Sequence, residues 1–420
     1  MKSAPLLDNA VKEKIMTAKA PIKVCMHILR DARNDVRSLR AGTTLVQEGF
    51  DVSIIDVEHD RSRPVKEDLR GIHLRHLIIP AWHSSRRSEI RFFITSLHTF
   101  MLSITWLLQS RADIYHATEL NALPACCIAA ALRRKPLVYE AYELHIPYPE
   151  TSVVFWRRCG KLIMHYLAIV LPRCAGVIAT TPLYAEEMKK RFHLREVTLA
   201  RNIPPYRIVE KNNLLRRHLG ISAEIRIALY QGRLQRNRGI DKIIRAAAFL
   251  EPGNMIVIIG DGPDKAYQAC LGSLIVSEGV ADRIKIIPPI PVYEELLDWT
   301  VSADMGLILY TPGYSLAVKL ILPNKLFEYI MAGVPVLATQ LDAVEEVIKT
   351  YDVGCIVPSI EAEDIGTAIN TMLADRDMLT RLSRNALDAA RHDLYWEKES
   401  LQIAQLYKDI VAKFKVKSTS

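Results

Sequence analysis

No C-x-x-C pair and no Cys/His cluster with metal-ligand spacing occurs in this chain of 420 residues. Its seven cysteines, at positions 25, 126, 127, 159, 174, 270 and 355, are odd in number, and only Cys126 and Cys127 are close in sequence. That pattern excludes a disulfide scaffold and a structural zinc site, and the expectation is reduced thiols in a cytoplasmic protein. The opening stretch MKSAPLLDNAVKEKIMTAKA lacks the apolar run of a secretion signal. With 18 glycines and 21 prolines, the chain has too little of either for a collagen-like or low-complexity protein. Lys and Arg outnumber Asp and Glu by 55 to 47, a net charge of +8, yet they form no long basic block. This balance favours phosphates, nucleotides or an anionic membrane surface, and nucleic acid is not expected as a partner.

Half of the residues are apolar, enough for two or three domains with cores of their own. Strand-like runs at 22–29, 52–57, 74–79, 114–116, 137–139, 177–180 and 197–200 alternate with helix-length segments. A second series follows at 225–230, 255–260, 284–287, 305–309, 336–338 and 355–357. Continuous Val/Ile/Leu runs suit parallel strands buried on both faces, and βα alternation implies right-handed crossovers. The expected fold class is therefore α/β: two doubly wound, Rossmann-like domains facing across a cleft. The pattern breaks at NIPPYRIVEK, residues 202–211. The expected division is an arm at 1–20, domains at 21–205 and 206–395, and a crossing helix and tail at 396–420. Phe92–Ser110 carries no formal charge over 19 residues. Phe93, Leu97, Phe100, Met101, Ile104, Leu107 and Leu108 recur there at helical spacing, so an amphipathic helix packed on a sheet through this stripe is expected.

Three motifs carry chemistry. In YQGRLQRNRGIDKII (230–244) a strand end and a glycine precede Arg233 and Arg238, two cations able to make charge-assisted bonds to a diphosphate. IIGDGP (258–263) is a strand ending in a glycine turn. PNKLFEYIMAGVPVLAT (323–339) opens a helix near Asn324, whose positive dipole end suits the same anion. Glu328, one turn inside, is placed to accept from hydroxyls such as those of a ribose.

Together these motifs resemble the donor-binding half of retaining glycosyltransferases with the GT-B fold, of the glycogen synthase-like family 4. The resemblance implies a nucleotide-diphosphate-sugar donor, with Arg233 and Arg238 on the diphosphate and Glu328 on the ribose. It also adds Gly262, Asn324 and Lys325 to the nucleotide site. The family's E-x7-E pair is broken, because Leu320 stands at the first glutamate. Sugar contacts then fall to other groups, such as backbone N–H groups of residues 313–316. In the first half, NDVRSLRAGTTLVQEGFDVSIID (34–56), DIYHATELNALPA (113–125) and PLVYEAYELH (136–145) are similar to segments of one branch of these enzymes, with Thr118, Glu140 and Tyr142 departing from its pattern. His116 is assigned to catalysis with Arg233 and Arg238, against the competing reading of a hydrogen-bonded core histidine. Arg37, Arg40, Glu119, Glu143 and His145 are the candidate acceptor contacts.

The resemblance implies a front-face reaction in which the leaving diphosphate helps deprotonate the acceptor hydroxyl and protein cations stabilise it. No Asp-x-Asp stands at a strand end to hold a divalent ion, so no metal or other cofactor is expected. The expected acceptor is a sugar or lipid-linked sugar, in polysaccharide or glycolipid assembly. Over residues 82–191 there are 14 Lys/Arg against 8 Asp/Glu. Arg86-Arg87, Arg133-Arg134 and Arg157-Arg158 lie among Trp82, Phe92, Phe93, Phe155 and Trp156, a mixture that suits an anionic inner membrane face. Two other readings stay open: a sugar-nucleotide epimerase of the same fold, and a non-catalytic nucleotide-binding relative serving as a partner subunit.

Overall fold

The computed structural model describes residues 20–79, 89–143, 154–311, 313 and 315–417. Strands β1 (Lys23–His27), β2 (Asp51–Glu58), β3 (Lys66–Leu69), β4 (Ile72–Ile78), β5 (Ile114–Thr118), β6 (Leu137–Ala141), β7 (Gly176–Ala179) and β8 (Thr198–Leu199) form one sheet, in the order β3-β4-β2-β1-β5-β6-β7-β8. Strands β9 (Arg226–Gln231), β10 (Asn254–Ile259), β11 (Ile284–Ile287), β12 (Met305–Ile308), β13 (Val336–Thr339) and β14 (Gly354–Val357) form another, in the order β11-β10-β9-β12-β13-β14. The second sheet is parallel throughout; in the first, β4-β2-β1-β5-β6 run parallel, as do β7 and β8, while β3 is antiparallel to β4. Each sheet is thus doubly wound, with a switch point where the strand order reverses: between β1 and β5 in the first, and between β9 and β12 in the second.

The apolar runs explain the second sheet directly. Along β9, Ile227 and Leu229 join one buried cluster while Ala228 and Tyr230 join the other, on the opposite face. Both faces are therefore covered, as a parallel sheet requires. The helix Asn324–Met331 packs into the first cluster through Leu326, Phe327, Ile330 and Met331. Each such fully buried side chain stabilises the fold by roughly 1.5–3 kcal/mol relative to leaving it in water.

By their contacts the described residues divide into two compact units. One comprises the chain up to Glu140, Arg173–Val177 and the residues from Ala404 on; the other comprises Ala141–Pro172 and Ile178–Ile403. The helix Trp396–Lys417 is therefore shared: Trp396 N–H donates to Pro204 in the second unit, and Tyr407 is buried in the first.

Two expectations need amending. Strand β3 has the sequence KEDL and no apolar run, so periodicity does not reveal it; it is held as an edge strand by its ladder to β4. The helix Glu89–Ser110 exists, but the N-terminal part of the apolar stripe assigned to its packed face is in solvent. Phe93, Leu97 and Met101 are 66%, 50% and 55% exposed, with Phe92 and Ile94 exposed beside them. The C-terminal end of the stripe does pack, with Leu107 fully buried, and Ser103, one turn before it, is buried beside it although it is polar. Ser103 turns its hydroxyl onto the Thr99 carbonyl, which lets a polar residue sit in the seam. The Phe92–Ser110 segment is long and apolar enough to cross a membrane, and little of it is buried in the protein.

Candidate functional site

The second sheet concentrates its polar chemistry at the carboxyl ends of β9 and β12, its switch point. Two glycines let the loops there touch. Gly239, at φ +67°, packs so closely on the chain after β12 that a Cβ would lie 2.0 Å from the Leu309 carbonyl oxygen. A Cβ on Gly262 would lie 2.3 Å from the Leu234 carbonyl oxygen, and Leu234 N–H donates to Asp261 at 2.7 Å across the same pair of loops. Gly262 is therefore a close-approach residue that fixes where the loops run. Tyr230, buried at the end of β9, donates its hydroxyl to the Arg233 carbonyl at 2.9 Å and sets the start of the turn.

Around this platform the cations gather. Arg233 is exposed. The Arg238 guanidinium lies 4.4 Å from the centroid of the Tyr310 ring, and its Nε is buried without a hydrogen-bond partner. Burial pushes Arg238 below the usual guanidinium range, while the charge of Glu143 acts the other way; a guanidinium stays protonated regardless. Lys325 reaches in from the first turn of Asn324–Met331. Its Nζ is 3.5 Å from the Tyr230 ring centroid, 5.9 Å from that of Tyr310, and also lacks a hydrogen-bond partner. Arg233, Arg238 and Lys325 are thus brought together where a helix N-terminus also points its dipole, an arrangement suited to a phosphate-bearing ligand.

Glu328 is placed differently from the simple picture of a free hydroxyl acceptor. It is buried, accepting from Gln231 Nε2 at 2.5 Å and from the Tyr293 hydroxyl at 2.8 Å. Gln231 in turn accepts from Thr300 at 2.8 Å. A carboxylate has about four lone-pair sites, so this network fixes the group and leaves it capacity for a ligand hydroxyl. Asn324 is exposed and accepts from Asn202 Nδ2 at 2.9 Å. Leu320 is buried at the end of the turn Leu316–Lys319. Ser315 caps that turn, accepting from Val318 N–H at 3.2 Å; of the 313–316 loop, residue 314 lies outside the described residues.

The residues singled out in the first half divide sharply. His116 is fully buried and both ring nitrogens are engaged, Nδ1 with the Tyr407 hydroxyl at 2.6 Å and Nε2 with Glu140 at 3.1 Å. The Tyr407 hydroxyl donating to Nδ1 and Nε2–H donating to Glu140 satisfies all three groups. Arg37 closes the chain on the other Glu140 oxygen, at 2.8 Å through Nε and 2.5 Å through Nη2. Burial pushes the Glu140 carboxyl up, but the Arg37 charge and the His116 bond outweigh it and hold the group at about 2. In this conformation His116 and Arg37 have no surface with which to touch a substrate, and Arg40 is buried too. His116 and Arg37 both hold Glu140 at the end of β6; the competing core-histidine reading describes His116 as it stands here. Glu119 is partly exposed, at φ +66°, and pairs with Arg30 beside the β1–β5 switch point. A non-glycine residue in that conformation is strained by roughly 1–2 kcal/mol, and such strain concentrates at functional positions. Glu143 is exposed near Arg238, and His145 lies outside the described residues.

Sequence reasoning did not find Tyr230, Tyr310, Gln231, Tyr293 or Tyr407. Tyr230 and Tyr310 close apolar strand runs, a signal that was available. Nothing local marks Tyr293, Gln231 or Tyr407. Among the described residues no group of three or more His, Cys, Asp or Glu is arranged to hold a metal ion.

Comparison with known proteins bears on the family and the fold. Residues 212–388 match the family model for glycosyl transferases group 1, and residues 38–202 that for glycosyltransferase family 4. A D-inositol 3-phosphate glycosyltransferase of Thermobispora bispora is 27% identical over 246 residues, 55% of each chain, so the match spans about half the length of that relative. Sucrose-phosphate synthase of Thermosynechococcus elongatus superposes with a TM-score of 0.77 at 17% identity, over 93% of this chain and all of that one. Anabaena HepE, solved with UDP and glucose, does so with a TM-score of 0.67 at 16% identity, over 92% of this chain and all of its own. With two family models laid end to end along two doubly wound sheets, the chain belongs to the GT-B glycosyltransferases of the group 1, family 4 type.

Proposed function

We propose that this protein moves a sugar from a nucleotide-diphosphate sugar to an acceptor hydroxyl. The observation that carries the reading is the convergence of Arg233, Arg238 and Lys325 on the β9–β12 switch point, with buried nitrogens of two of them lacking partners. Their charge is placed to stabilise a departing diphosphate, the kind of electrostatic stabilisation that such transfers rely on most. Glu328, fixed by Gln231 and Tyr293, takes the ribose. Transfer proceeds with retention at the anomeric carbon and without a metal, the three cations serving the leaving group. HepE, whose structure holds UDP and glucose, supports a uridine nucleotide as the first donor to try.

The acceptor is a sugar or lipid-linked sugar, met at the inner membrane face by a peripheral protein. What supports the membrane part is the exposed Phe92, Phe93, Ile94, Leu97 and Met101 on one helix. The flanking Trp82, Arg86, Arg87 and the side chains of residues 155–158 lie outside the described residues.

Donor hydrolysis and transfer across UDP-, GDP- and ADP-sugars tests the reading. Turnover is expected for one nucleotide class, falling at least 100-fold, about 3 kcal/mol of transition-state stabilisation, in Arg233→Ala, with Glu328→Ala raising the donor KM. The product anomer, read by NMR, reports retention, and full rate in excess EDTA is expected. Nucleotide binding without any turnover would favour the partner-subunit reading, which the buried Leu320 at the broken E-x7-E position motivates.

A further inference from the structure

Lys325 presents a charge problem that the paired cations of this chain do not. The residue is only 6% exposed and its Nζ has no hydrogen-bond partner. The groups facing it are Tyr230 from β9, Tyr310 from the end of β12, Arg238 from the turn after β9, and Glu328 from its own helix. The first two offer ring faces. Arg238 repels an ammonium, and Glu328 spends oxygens on Gln231 and Tyr293. An ammonium held there without an acceptor is strongly disfavoured, and an amine, unlike a guanidinium, escapes by giving up its proton. Burial first, then the Arg238 charge, pushes Lys325 well below the usual amine range, with Glu328 opposing.

The missing acceptor has an obvious place. A Cβ on Gly232, at the turn after β9, would lie 3.4 Å from Lys325 Nζ. The space that a side chain would fill there is the space a phosphate oxygen can take.

We propose that Lys325 is a neutral amine in the empty site and takes up one proton from solvent when a nucleotide diphosphate settles beside it. The nitrogen lone pair accepts the proton and the new ammonium donates to a phosphate oxygen; no bond of the donor is made or broken. The inference rests on the donor-site reading above. Its consequence is a linkage. The complex holds one more proton than the free protein, so donor Kd rises as pH rises through the window where the free amine is neutral and the bound one charged. The limiting slope is tenfold per pH unit.

Calorimetric titration of the full chain with UDP-glucose, GDP-mannose and ADP-glucose, at about pH 8 where these diphosphates do not titrate, tests it. Run in buffers of different ionisation enthalpy, the observed heat should vary linearly, with a slope approaching one proton taken up. Lys325→Met should bind more weakly with a slope near zero. Lys325→Arg, permanently charged, should bind with a slope near zero and a flat pH profile, and it decides the matter if the methionine variant melts early. Donor binding with no proton uptake in the wild type, or uptake that persists in both variants, overturns the inference and leaves the donor site standing. Absence of binding by all three donors overturns both.

Discussion

Two buried bases, Lys325 and His27, show how the same physics serves a site and a scaffold. His27 ends β1 fully buried, its Nδ1–H donating to the Ile55 carbonyl at 2.8 Å while Nε2 lacks a partner. Burial lowers it from the usual 6.5 to about 4, against the raising effect of the Ile55 bond. The unfolded chain therefore binds a proton at a pH where the folded one does not. The resulting stability is fully present above pH 6.5 and is lost as pH falls towards 4, on the order of 3 kcal/mol in all. Urea melts across that window should show the loss, and His27→Leu should flatten it. Gly262 gives a second prediction at this scale. With a Cβ only 2.3 Å from the Leu234 carbonyl oxygen, Gly262→Ala forces two backbone segments apart. A cost of about 1–3 kcal/mol is expected, together with weakened nucleotide binding, measured by melting and by titration of the same sample.

Among the elements, the helix Glu89–Ser110 separates what periodicity reveals from what it does not. Its length and amphipathic stripe are plain in the sequence, but which side faces the protein depends on the partner surface, and the structure buries Ser103 and Leu107. Leu97→Glu is therefore expected to change stability by less than about 0.5 kcal/mol, while reducing flotation with anionic liposomes. Loss of folding instead would place Leu97 in a core. The same contrast runs through the sites. Arg233, Arg238, Lys325 and Glu328 are legible because strand ends, glycines and a helix start fall at short fixed intervals. The Tyr407–His116 bond spans 291 positions, and no local pattern announces such a pairing. Tyr293 and Thr300 reach Glu328 and Gln231 from another segment for the same reason. Edge strand β3, a charged tetrapeptide, is defined by its neighbour alone.

At the scale of the molecule, the alternation of apolar runs was sufficient to read two doubly wound sheets, because each parallel strand must be buried on both faces. The compact units follow a less simple partition, since the first unit includes the residues from Ala404 on. Tyr407→Phe removes the donor from the buried His116 Nδ1, and a cost of about 1–3 kcal/mol is expected. Its melt should lose cooperativity in the first unit before the second. This arrangement also sets a timetable. On the ribosome the strands around His116 emerge early, yet the tyrosine that completes their buried chain of hydrogen bonds is made 291 residues later. At about 5–20 residues per second, that is a delay of roughly 15–60 seconds. During synthesis the first unit must wait half-finished, while the second can fold to completion ahead of it.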